Sequence, residues 1–462
     1  MNTISEKRLP TGKHLHLIER GEKISRVSSE GVAAIEIGHQ INFNAAALDT
    51  FDVKGCQPLH FDLLVLCAAI EFADRHWKRP RSWSRTFHVT VPVIDLTTWQ
   101  NPVVQSNLRS VLRQLTCDDW HFTFIQAKNR SPIGERQGKL SFPTRKTFAI
   151  AYSGGLDSRA VSALSGTSDE ALCIRVANFR HRRRNGDNYF TQIPFKVKVL
   201  RSNESSFRSR GFQFAAVTAI AAHLSNLTRI VVPESNQGAL GPVLLPLHNI
   251  YADYRNHPTY FRKMERFIKS VLDHGVRYEQ PRLWFTKGQT LRAFLDLSGK
   301  TEVELTDARS CWQTRRIVNT GGSKKQCGLC AACLLRRLSM HAAGVCESLD
   351  TYVISNLGAS TVSEALSVLP SIADRNIMIE YGSVGARHLQ QLADMAGRPD
   401  DELRIHVSEI AAAMDAPFAD TMKNLKAVLA VHADEWQTFL SAQGEESFLR
   451  SWMEGGRDGR SE

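Results

Sequence analysis

The sequence of 462 residues predicts an α/β protein whose middle part forms a doubly wound parallel sheet. Three observations support this class. Strand-like apolar runs alternate with helical patterns between residues 145 and 345, one such run breaks at two glycines before a helix, and the pattern beyond residue 346 is helical. We therefore expect an N-terminal α+β accessory domain at 1–144, the sheet domain at 145–345, and a C-terminal helical region at 346–462.

Alternating apolar and polar residues predict a mixed sheet in the first domain. The predicted strands are His14–Ile18, Val32–Ile37, Phe87–Val93 and His121–Ile125. The predicted helices are Asp62–His76 and Asn107–Leu115, and a polar linker with Gly and Pro follows at 129–138. The histidines here have no metal-ligand spacing, so we interpret them as surface or core imidazoles: His14, His16, His39, His60, His76 and His88.

The middle domain alternates strands with helices, which implies a parallel sheet with its ligand at the carboxyl ends of the strands. The predicted strands are Thr147–Tyr152, Leu172–Val176, Lys196–Val199 and Arg229–Val232. A helix over Thr259–His274 has one apolar stripe and is expected to stop at Gly275.

The segment Ser153-Gly-Gly-Leu-Asp-Ser158 joins the first of these strands to a helix. Two glycines let the backbone approach a ligand closely, and a helix start offers unpaired N–H groups and a positive dipole end. The two serine hydroxyls add donors, so the loop is suited to pyrophosphate. A bare phosphate would repel Asp157, which suggests that this carboxylate orients the loop or helps to hold Mg²⁺. The sequence thus predicts a nucleotide site.

The chain is basic, with a formal net charge of +11. A basic balance favours anionic partners such as ATP or nucleic acid, and the run Arg180–Arg184 is interpreted as solvated surface or, alternatively, as a loop that holds phosphates or a partner. Neither a secretory signal nor a membrane-spanning apolar stretch is recognisable, so we expect a cytoplasmic protein without membrane contact.

The region after residue 346 shows helical periodicity in several polar segments. The predicted helices are Val362–Leu369, Ala386–Ala396, Glu402–Met414 and Phe418–His432, and a frayed tail is expected at Glu454–Glu462. Such a region could pack on the middle domain or dock a partner.

Four of the nine cysteines cluster: Cys311, then Cys327, Cys330 and Cys333 in two overlapping C-x-x-C pairs. Clustered cysteines in a cytosolic protein favour a metal over disulfides. Zn²⁺ takes four thiolates in a tetrahedron, and a closed set of four leaves no open position, which predicts a structural zinc. An iron–sulfur cluster is the alternative.

The two motifs together resemble QueC, the 7-cyano-7-deazaguanine synthase family of PP-loop ATP pyrophosphatases. The resemblance is carried by Ser153–Ser158, by Ser310-Cys-Trp312 and by Cys327–Arg336. Two weaker similarities are Arg210-Gly-Phe-Gln-Phe214, which opens an Ala-rich helix to Leu224, and Thr286-Lys287, which leads into a further helix.

The chain also departs from the QueC pattern. The spacing from Cys311 to Cys327 is longer, and different residues stand after the second and third strands, at Ala177–His181 and Val232–Gly238. The resemblance covers only about residues 145–345. The additional parts resemble the QueC-like proteins of bacterial anti-phage defence operons, among which the QatC family of the Qat system is most similar in layout.

The resemblance implies an AMP-forming, ATP-dependent carbon–nitrogen ligase that activates 7-carboxy-7-deazaguanine. Ser153, Gly154, Gly155, Leu156, Asp157 and Ser158 are expected to bind ATP, with Mg²⁺ between phosphates. Asp157, Arg210 and Lys287 are the candidate catalytic residues, and Glu234 with Asn236 could read a purine-like ring. Cys311, Cys327, Cys330 and Cys333 are expected to hold Zn²⁺.

In QueC the activated acid takes ammonia and is then dehydrated to a nitrile. The resemblance to the defence proteins implies instead that the amine belongs to a partner protein of the same operon, often at an N-terminal glycine. This version is preferred because the extra domains provide surface for a macromolecule. The alternatives are a small-molecule nitrile synthase, a nucleic-acid modifying PP-loop enzyme and a non-catalytic ATP-binding scaffold.

Overall fold

The computed structural model describes residues 10–22, 31–43, 55–128, 145–175, 191–192, 195–199, 202–247, 250–312, 319–320 and 323–454. The chain forms two compact units that interleave along the sequence. Unit 1 comprises Met1–Ser153, Gly166–Val232 and Pro246–Gln280, and unit 2 comprises Gly154–Ser165, Pro233–Leu245 and Pro281–Glu462. The expected domain boundaries near residues 144 and 345 stay a prediction. None of the described helices has both the length and the apolar character needed to cross a bilayer.

The strands are short, and most of them belong to unit 1. In chain order they are β1 (Lys13–Ile18), β2 (Val32–Glu36), β3 (Ile41–Phe43), β4 (Thr86–Val93), β5 (Asp119–Gln126), β6 (Phe148–Tyr152), β7 (Ala171–Arg175), β8 (Thr191–Gln192), β9 (Phe195–Val197), β10 (Arg229–Val231), β11 (Arg277–Glu279), β12 (Asn319–Thr320) and β13 (Ser323–Lys324).

The helices dominate unit 2, and 3₁₀ turns occur at Leu349–Thr351 and Met395–Gly397. In chain order the α-helices are α1 (Pro58–His76), α2 (Leu96–Gln100), α3 (Pro102–Thr116), α4 (Leu156–Ser165), α5 (Arg210–Leu224), α6 (Asn236–Ala239), α7 (Gly241–Leu244), α8 (Pro258–Leu272), α9 (Lys287–Leu295), α10 (Glu302–Thr306), α11 (Ala331–Ala342), α12 (Ile372–Asp394), α13 (Asp400–Met414), α14 (Phe418–Ala442) and α15 (Phe448–Glu454).

The first sheet of unit 1 has the strand order β2-β1-β4-β5, and all of its pairs are parallel. The prediction of a mixed sheet was therefore wrong. Alternation of apolar and polar residues indicates which face of a strand is buried, but it does not indicate strand direction. Direction follows from the connections. Helix α1 precedes β4, and α2 and α3 connect β4 to β5, so the chain crosses over and each strand starts at the same edge.

The second sheet of unit 1 has the order β11-β10-β6-β7-β8 and is also parallel, as predicted. Strands β7 and β8 follow β6 on one side, whereas β10 and β11 lie on the other. The strand order thus reverses between β6 and β10, and parallel sheets bind ligands at the carboxyl ends of the strands at such a point. Residues 153–158 follow β6, and residue 234 comes shortly after β10.

Two details of this sheet differ from the sequence-based expectation. The strand expected at Lys196–Val199 is found as β9, but it pairs antiparallel with β3 in a separate ladder. Strand β11 was not predicted, because its three residues, Arg-Tyr-Glu, carry no apolar pattern. Helix α8 ends with Asp273 in the left-handed conformation at φ 48°, two residues before the expected stop at Gly275.

The core of unit 1 is a helical layer between the two sheets. Helix α1 contacts β4 and α5, and α5 in turn contacts β6 and β10. Both helices are buried over most of their surface, and α5 is rich in alanine, which lets it approach its neighbours closely. The Ala-rich helix expected from Arg210 to Leu224 is confirmed with the same bounds.

A buried quartet of charges links α1 to the start of β4 and β5. Arg85 Nη2 lies 2.5 Å from Asp74 Oδ1 and 2.8 Å from Asp118 Oδ2, and Arg79 Nη1 lies 2.9 Å from Asp118 Oδ1. These side chains are at most 4% exposed. Buried charges are tolerated when they are paired in this way.

Unit 2 is built on helix contacts. Helix α9 packs against α4 and α11, and α14 packs against α11, α12 and α13. The helix predicted at Val362–Leu369 was wrong: this segment forms turns, with a bridge between Ile354 and Leu366. The predicted helix at Ala386–Ala396 is the last part of the longer α12, and α13 and α14 begin within two residues of their predicted starts.

Candidate functional site

The loop after β6 turns sharply into α4. Gly154 has φ +73°, a conformation that favours glycine, and α4 begins at Leu156. The Ser158 hydroxyl donates to the Gly155 carbonyl at 3.1 Å and is buried, whereas Ser153 is exposed. The strand–loop–helix arrangement predicted for residues 147–158 is confirmed.

Arg159 braces this loop from the first turn of α4. Its Nε donates to the Gly154 carbonyl at 2.9 Å, and its Nη1 donates to the carbonyl of Glu304 in α10. The loop conformation is therefore fixed by a cation of the same helix. The sequence does not indicate this role of Arg159, because one arginine in an amphipathic helix carries no distinguishing pattern.

Lys287 and Asp157 form an ion pair in unit 2. Lys287 is the first residue of α9, and its Nζ lies 2.6 Å from Asp157 Oδ2. The two side chains are 12% and 19% exposed. Thr286 caps the helix, since its hydroxyl accepts from the Gln289 N–H while the Gln289 side chain accepts from the Thr286 N–H. The cap fixes the start of α9 and so the position of Lys287.

A second carboxylate acts on the same lysine. Burial alone would lower the pKa of Lys287, but Asp157 and Glu234 outweigh it and raise that pKa above its ordinary value. The ammonium is therefore charged at neutral pH. Glu234 lies against Gly238, where a Cβ atom would come within 2.3 Å of Glu234 Oε1. Three of the residues selected from the sequence, Asp157, Glu234 and Lys287, are thus brought together.

Two buried oxygen atoms near this cluster lack a hydrogen-bond partner among the described residues. They are Asp157 Oδ1 and Asn236 Oδ1, and the other end of the Asn236 amide donates to the Leu283 carbonyl at 3.2 Å. Buried acceptors normally have a partner, so each of them suits a water, a donor or a cation. A carboxylate oxygen is the kind of ligand that Mg²⁺ takes alongside phosphates, so Asp157 fits the predicted magnesium.

Arg210 lies in unit 1, at the first position of α5. Its guanidinium carbon is 4.8 Å from the centre of the Phe214 ring, one turn along the same helix. Its catalytic assignment stays a prediction, as do the ATP-binding assignments of the loop residues.

The four clustered cysteines come together as expected. All are buried, and their Sγ atoms lie within 4.8 Å of one another. Cys327 Sγ is 3.7 Å from Cys333 Sγ. Four thiolates about 2.3 Å from one zinc ion would be about 3.8 Å apart, whereas a disulfide would bring two sulfurs to about 2.05 Å. The group fits a single tetrahedral ion; a multi-iron cluster would hold its sulfurs farther apart.

Backbone donors and one tight turn shape this cysteine cluster. The Cys327 N–H donates to Cys311 Sγ and the Cys330 N–H donates to Cys327 Sγ, each at 3.3 Å, which favours thiolates. Gly328 has φ +84°, and a Cβ atom there would come within 2.3 Å of the Ile354 carbonyl oxygen. Only glycine fits this turn.

Arg336 ties the cluster to the segment that carries Cys311. It is fully buried, pairs with Glu347 at 2.6 Å, and donates to the Ala308 carbonyl at 2.6 Å. The Gln326 side chain accepts from the Cys311 N–H at 3.2 Å. These contacts hold Cys311 beside the C-x-x-C pairs despite the long spacing between them.

A protein-family model described as queuosine biosynthesis protein QueC matches residues 248–344. The match supports a QueC-like PP-loop family. It includes Lys287 and all four clustered cysteines, but the loop at 153–158 lies outside it. No protein of curated function matches the chain. The QueC-like segment therefore includes the cysteine cluster and Lys287, while the loop at 153–158 is identified only by its own motif and geometry.

Some predicted features lie outside the described residues. These are the basic run at 180–184, the departure at 177–181, the linker at 129–138 and, beyond residue 454, the tail. Among the described residues, the structure adds partners that the sequence did not indicate: Arg159 at the loop, and Gln237, His432 and Glu435 around the start of α9.

Proposed function

We propose that this protein is an ATP-dependent carbon–nitrogen ligase that forms AMP. The carboxylate of 7-carboxy-7-deazaguanine attacks the α-phosphorus of ATP, which gives an acyl adenylate and releases pyrophosphate. An amine then attacks the acyl carbon, and AMP and a proton leave as the amide bond forms. The observation that supports ATP use best is the Lys287–Asp157 pair, because it joins the SGGLDS loop to the QueC-like segment within one unit.

The loop and α4 would bind the β- and γ-phosphates. Ser153, Gly154, Gly155, Leu156 and Ser158 provide backbone and hydroxyl donors, as helix-starting phosphate loops do. Mg²⁺, when bound with ATP, would neutralise the phosphate oxygens, and Asp157 would be its protein ligand. The Lys287 ammonium, fixed beside the loop, would stabilise negative charge that develops on the leaving pyrophosphate.

Arg210 remains our candidate for contact with the α-phosphate or the substrate carboxylate, and Glu234 for the ring of the deazapurine. Glu234 also raises the pKa of Lys287. The zinc would be structural, because four cysteine ligands leave no position for substrate.

We propose a partner protein's N-terminal amine as the acceptor, in an anti-phage defence system. The QueC-like match covers residues 248–344 of 462, so a large part of the chain lies outside it. The four-stranded sheet of unit 1 and helices α12 to α15 belong to that remainder. Ammonia needs no docking surface, whereas a protein acceptor does.

A second candidate is the synthesis of 7-cyano-7-deazaguanine with ammonia as acceptor, which the description of the matching family favours. Modification of nucleic acid is a further alternative. The net charge of +11 is consistent with it, but a positive charge also suits other anionic partners. The last is a scaffold that binds ATP without turnover.

The test incubates the purified chain with ATP, Mg²⁺ and 7-carboxy-7-deazaguanine and follows AMP and pyrophosphate. Turnover that needs a co-expressed partner, with the deazaguanine mass on that partner's N-terminus, supports the ligase. Nitrile formation with ammonia, and no mass gain on any partner, selects the second candidate. If no AMP forms with a partner protein, with ammonia or with nucleic acid, our proposal is overturned and the non-catalytic scaffold is the remaining alternative.

A further inference from the structure

Two side chains on one face of helix α14 connect it to the start of α9: Glu435 contacts Thr286 directly, and His432 is connected through Gln237. His432 and Glu435 are three residues apart and therefore lie on the same side of the helix. His432 is fully buried, and Glu435 is partly buried. Helix α14 lies beyond residue 344, where the QueC-like match ends.

Glu435 holds the cap of α9. The Thr286 hydroxyl donates to Glu435 Oε1 at 2.6 Å while it accepts from the Gln289 N–H at 3.0 Å. The Thr286 hydroxyl thus donates its proton to Glu435 and accepts the N–H of Gln289 with a lone pair. The Glu435 carboxyl group, which accepts this bond through Oε1, selects the rotamer of Thr286 that caps the helix.

His432 acts through Gln237. Its Nε2 lies 3.0 Å from the Leu389 carbonyl oxygen, which can only accept, so Nε2 carries the proton and Nδ1 is an acceptor. Gln237 Nε2 lies 3.4 Å from this Nδ1, and Gln237 Oε1 accepts from the Lys287 N–H at 2.8 Å. A chain of hydrogen bonds therefore runs from α12 through α14 to the backbone of Lys287.

Residue 288 leaves room for this contact. A Cβ atom on Gly288 would come within 2.6 Å of both Glu435 Oε1 and Ala342 Cβ. Such an approach forces a shift, so α14 can come this close to α9 only because the residue after Lys287 has no side chain.

We propose that α14 belongs to the ATP site and that His432 and Glu435 are positioning residues. They hold the first turn of α9 and thereby direct the Lys287 ammonium towards the phosphates. This inference rests on the proposed function. Lys287 has contacts on two sides: Asp157 pairs with its side chain, and α14 fixes its backbone through Gln237 and Thr286. If the backbone contacts through Gln237 and Thr286 are lost, Lys287 is still present but its ammonium no longer points towards the phosphates.

The kinetic test compares Glu435→Ala with Glu435→Gln, which keeps an acceptor oxygen. Misplacement by about 1 Å can cost on the order of 10²-fold in rate, so Glu435→Ala should lower kcat for AMP formation by between about 10- and 100-fold. The KM for ATP should change less, because the lysine acts on charge that develops in the transition state. Glu435→Gln should recover most of the loss, and Thr286→Val should not add to that of Glu435→Ala.

Val428→Ala is the control for stability. Val428 is buried in α14 within an apolar cluster that includes no residue of α9, so this variant weakens the packing of the helix without removing the positioning hydrogen bonds. It should keep kcat near that of the wild type. An equal loss of kcat in Val428→Ala and Glu435→Ala at matched unfolding midpoints would overturn the proposal.

A labelling experiment separates this inference from the proposed function. Lys287 is 12% exposed, and the rate at which a small acylating reagent modifies it can be followed by peptide mass spectrometry without turnover. We expect Glu435→Ala and His432→Ala, but not Val428→Ala, to raise that rate several-fold. If the wild type forms no AMP, the proposed function fails and labelling alone decides. An unchanged labelling rate in both variants refutes the positioning role.

Discussion

Lys287 Nζ lies 2.6 Å from Asp157 Oδ2, which joins a residue of the SGGLDS loop to the first residue of α9. The two belong to motifs that are far apart in the sequence, and within unit 2 they form one charged centre. Asp157 keeps its other oxygen buried and without a partner among the described residues. The pair therefore places the Lys287 ammonium and the second carboxylate oxygen of Asp157 at the end of the SGGLDS loop.

Lys287→Ala should lower kcat/KM for AMP formation by about 10²- to 10³-fold, the usual effect of removing a fixed group that stabilises transition-state charge. The measurement is the rate of pyrophosphate release as the ATP concentration is varied and the other substrates are kept constant. Lys269→Ala is a suitable control, because Lys269 forms an exposed ion pair with Asp273 in unit 1. Equal rates in wild type and Lys287→Ala would remove Lys287 from the mechanism.

Cys333→Ser should release the metal, because a zinc tetrahedron of thiolates cannot close with three sulfurs. Purified wild type should contain about one equivalent of zinc and no iron by elemental analysis. A loss of about 4 kcal/mol, typical of losing a metal, would lower Tm by on the order of 10 °C. Cys346→Ser, at an exposed cysteine, should keep both metal and Tm. A wild-type protein that contains no metal as purified, or whose Tm does not change when a chelator removes the metal, would contradict a structural zinc.

Asp118→Asn should destabilise the protein much more than Asp119→Asn, its neighbour in the chain. Asp118 is fully buried and pairs with Arg79 and Arg85, so its loss leaves buried positive charge and should cost about 3 kcal/mol or more. Asp119 lies 3.9 Å from Arg113 on the surface, where a pair contributes less than about 1 kcal/mol. Urea unfolding of both variants measures the difference, and similar midpoints would show that the quartet is not a source of stability.

The sequence predicted the parts of the molecule that depend on local pattern. The SGGLDS loop, the C-x-x-C pairs and the helix Arg210–Leu224 are each encoded by neighbouring residues, and the structure contains all of them. Strand direction in the first sheet was missed, because it depends on crossovers and not on alternation.

The contacts that α14 makes around the start of α9 were missed for a similar reason. Glu435 and His432 look like ordinary polar positions of an amphipathic helix, and nothing near them in the sequence points to residues 286 and 287. Only the packing of α14 reveals their role. The single local signal was Gly288, a glycine in the first turn of a predicted helix, which indicates a close approach by another element.

Glu435 should make the stability of the protein depend on pH. Burial raises the pKa of its carboxyl group from 4.5 to about 7, although the bond from Thr286 opposes the rise. A raised pKa means that the folded state holds a proton which the unfolded state has lost, so the contribution is present below about pH 4.5 and disappears as the pH rises to about 7.

The variant Glu435→Gln cannot titrate and isolates this effect. Between pH 5 and pH 7.5 the wild type should lose free energy of unfolding relative to Glu435→Gln, as measured by urea titration at each pH. Glu446→Gln, which changes an exposed carboxylate, should follow the wild type. A constant difference between wild type and Glu435→Gln over this range would show that the carboxyl is ionised throughout.

Gly288→Ala should destabilise the protein although alanine is the better helix former. In an open helix the change from glycine to alanine gains about 1 kcal/mol. Here the added Cβ would come within 2.6 Å of Ala342 Cβ and Glu435 Oε1, and overpacking of this kind costs about 1–3 kcal/mol. Gly275→Ala, where no atom lies within 4 Å of the new Cβ, should be nearly neutral. Thermal unfolding of both variants tests the close approach of α9, α11 and α14, and a Gly288→Ala protein more stable than the wild type would mean that these helices do not pack as the structure has them.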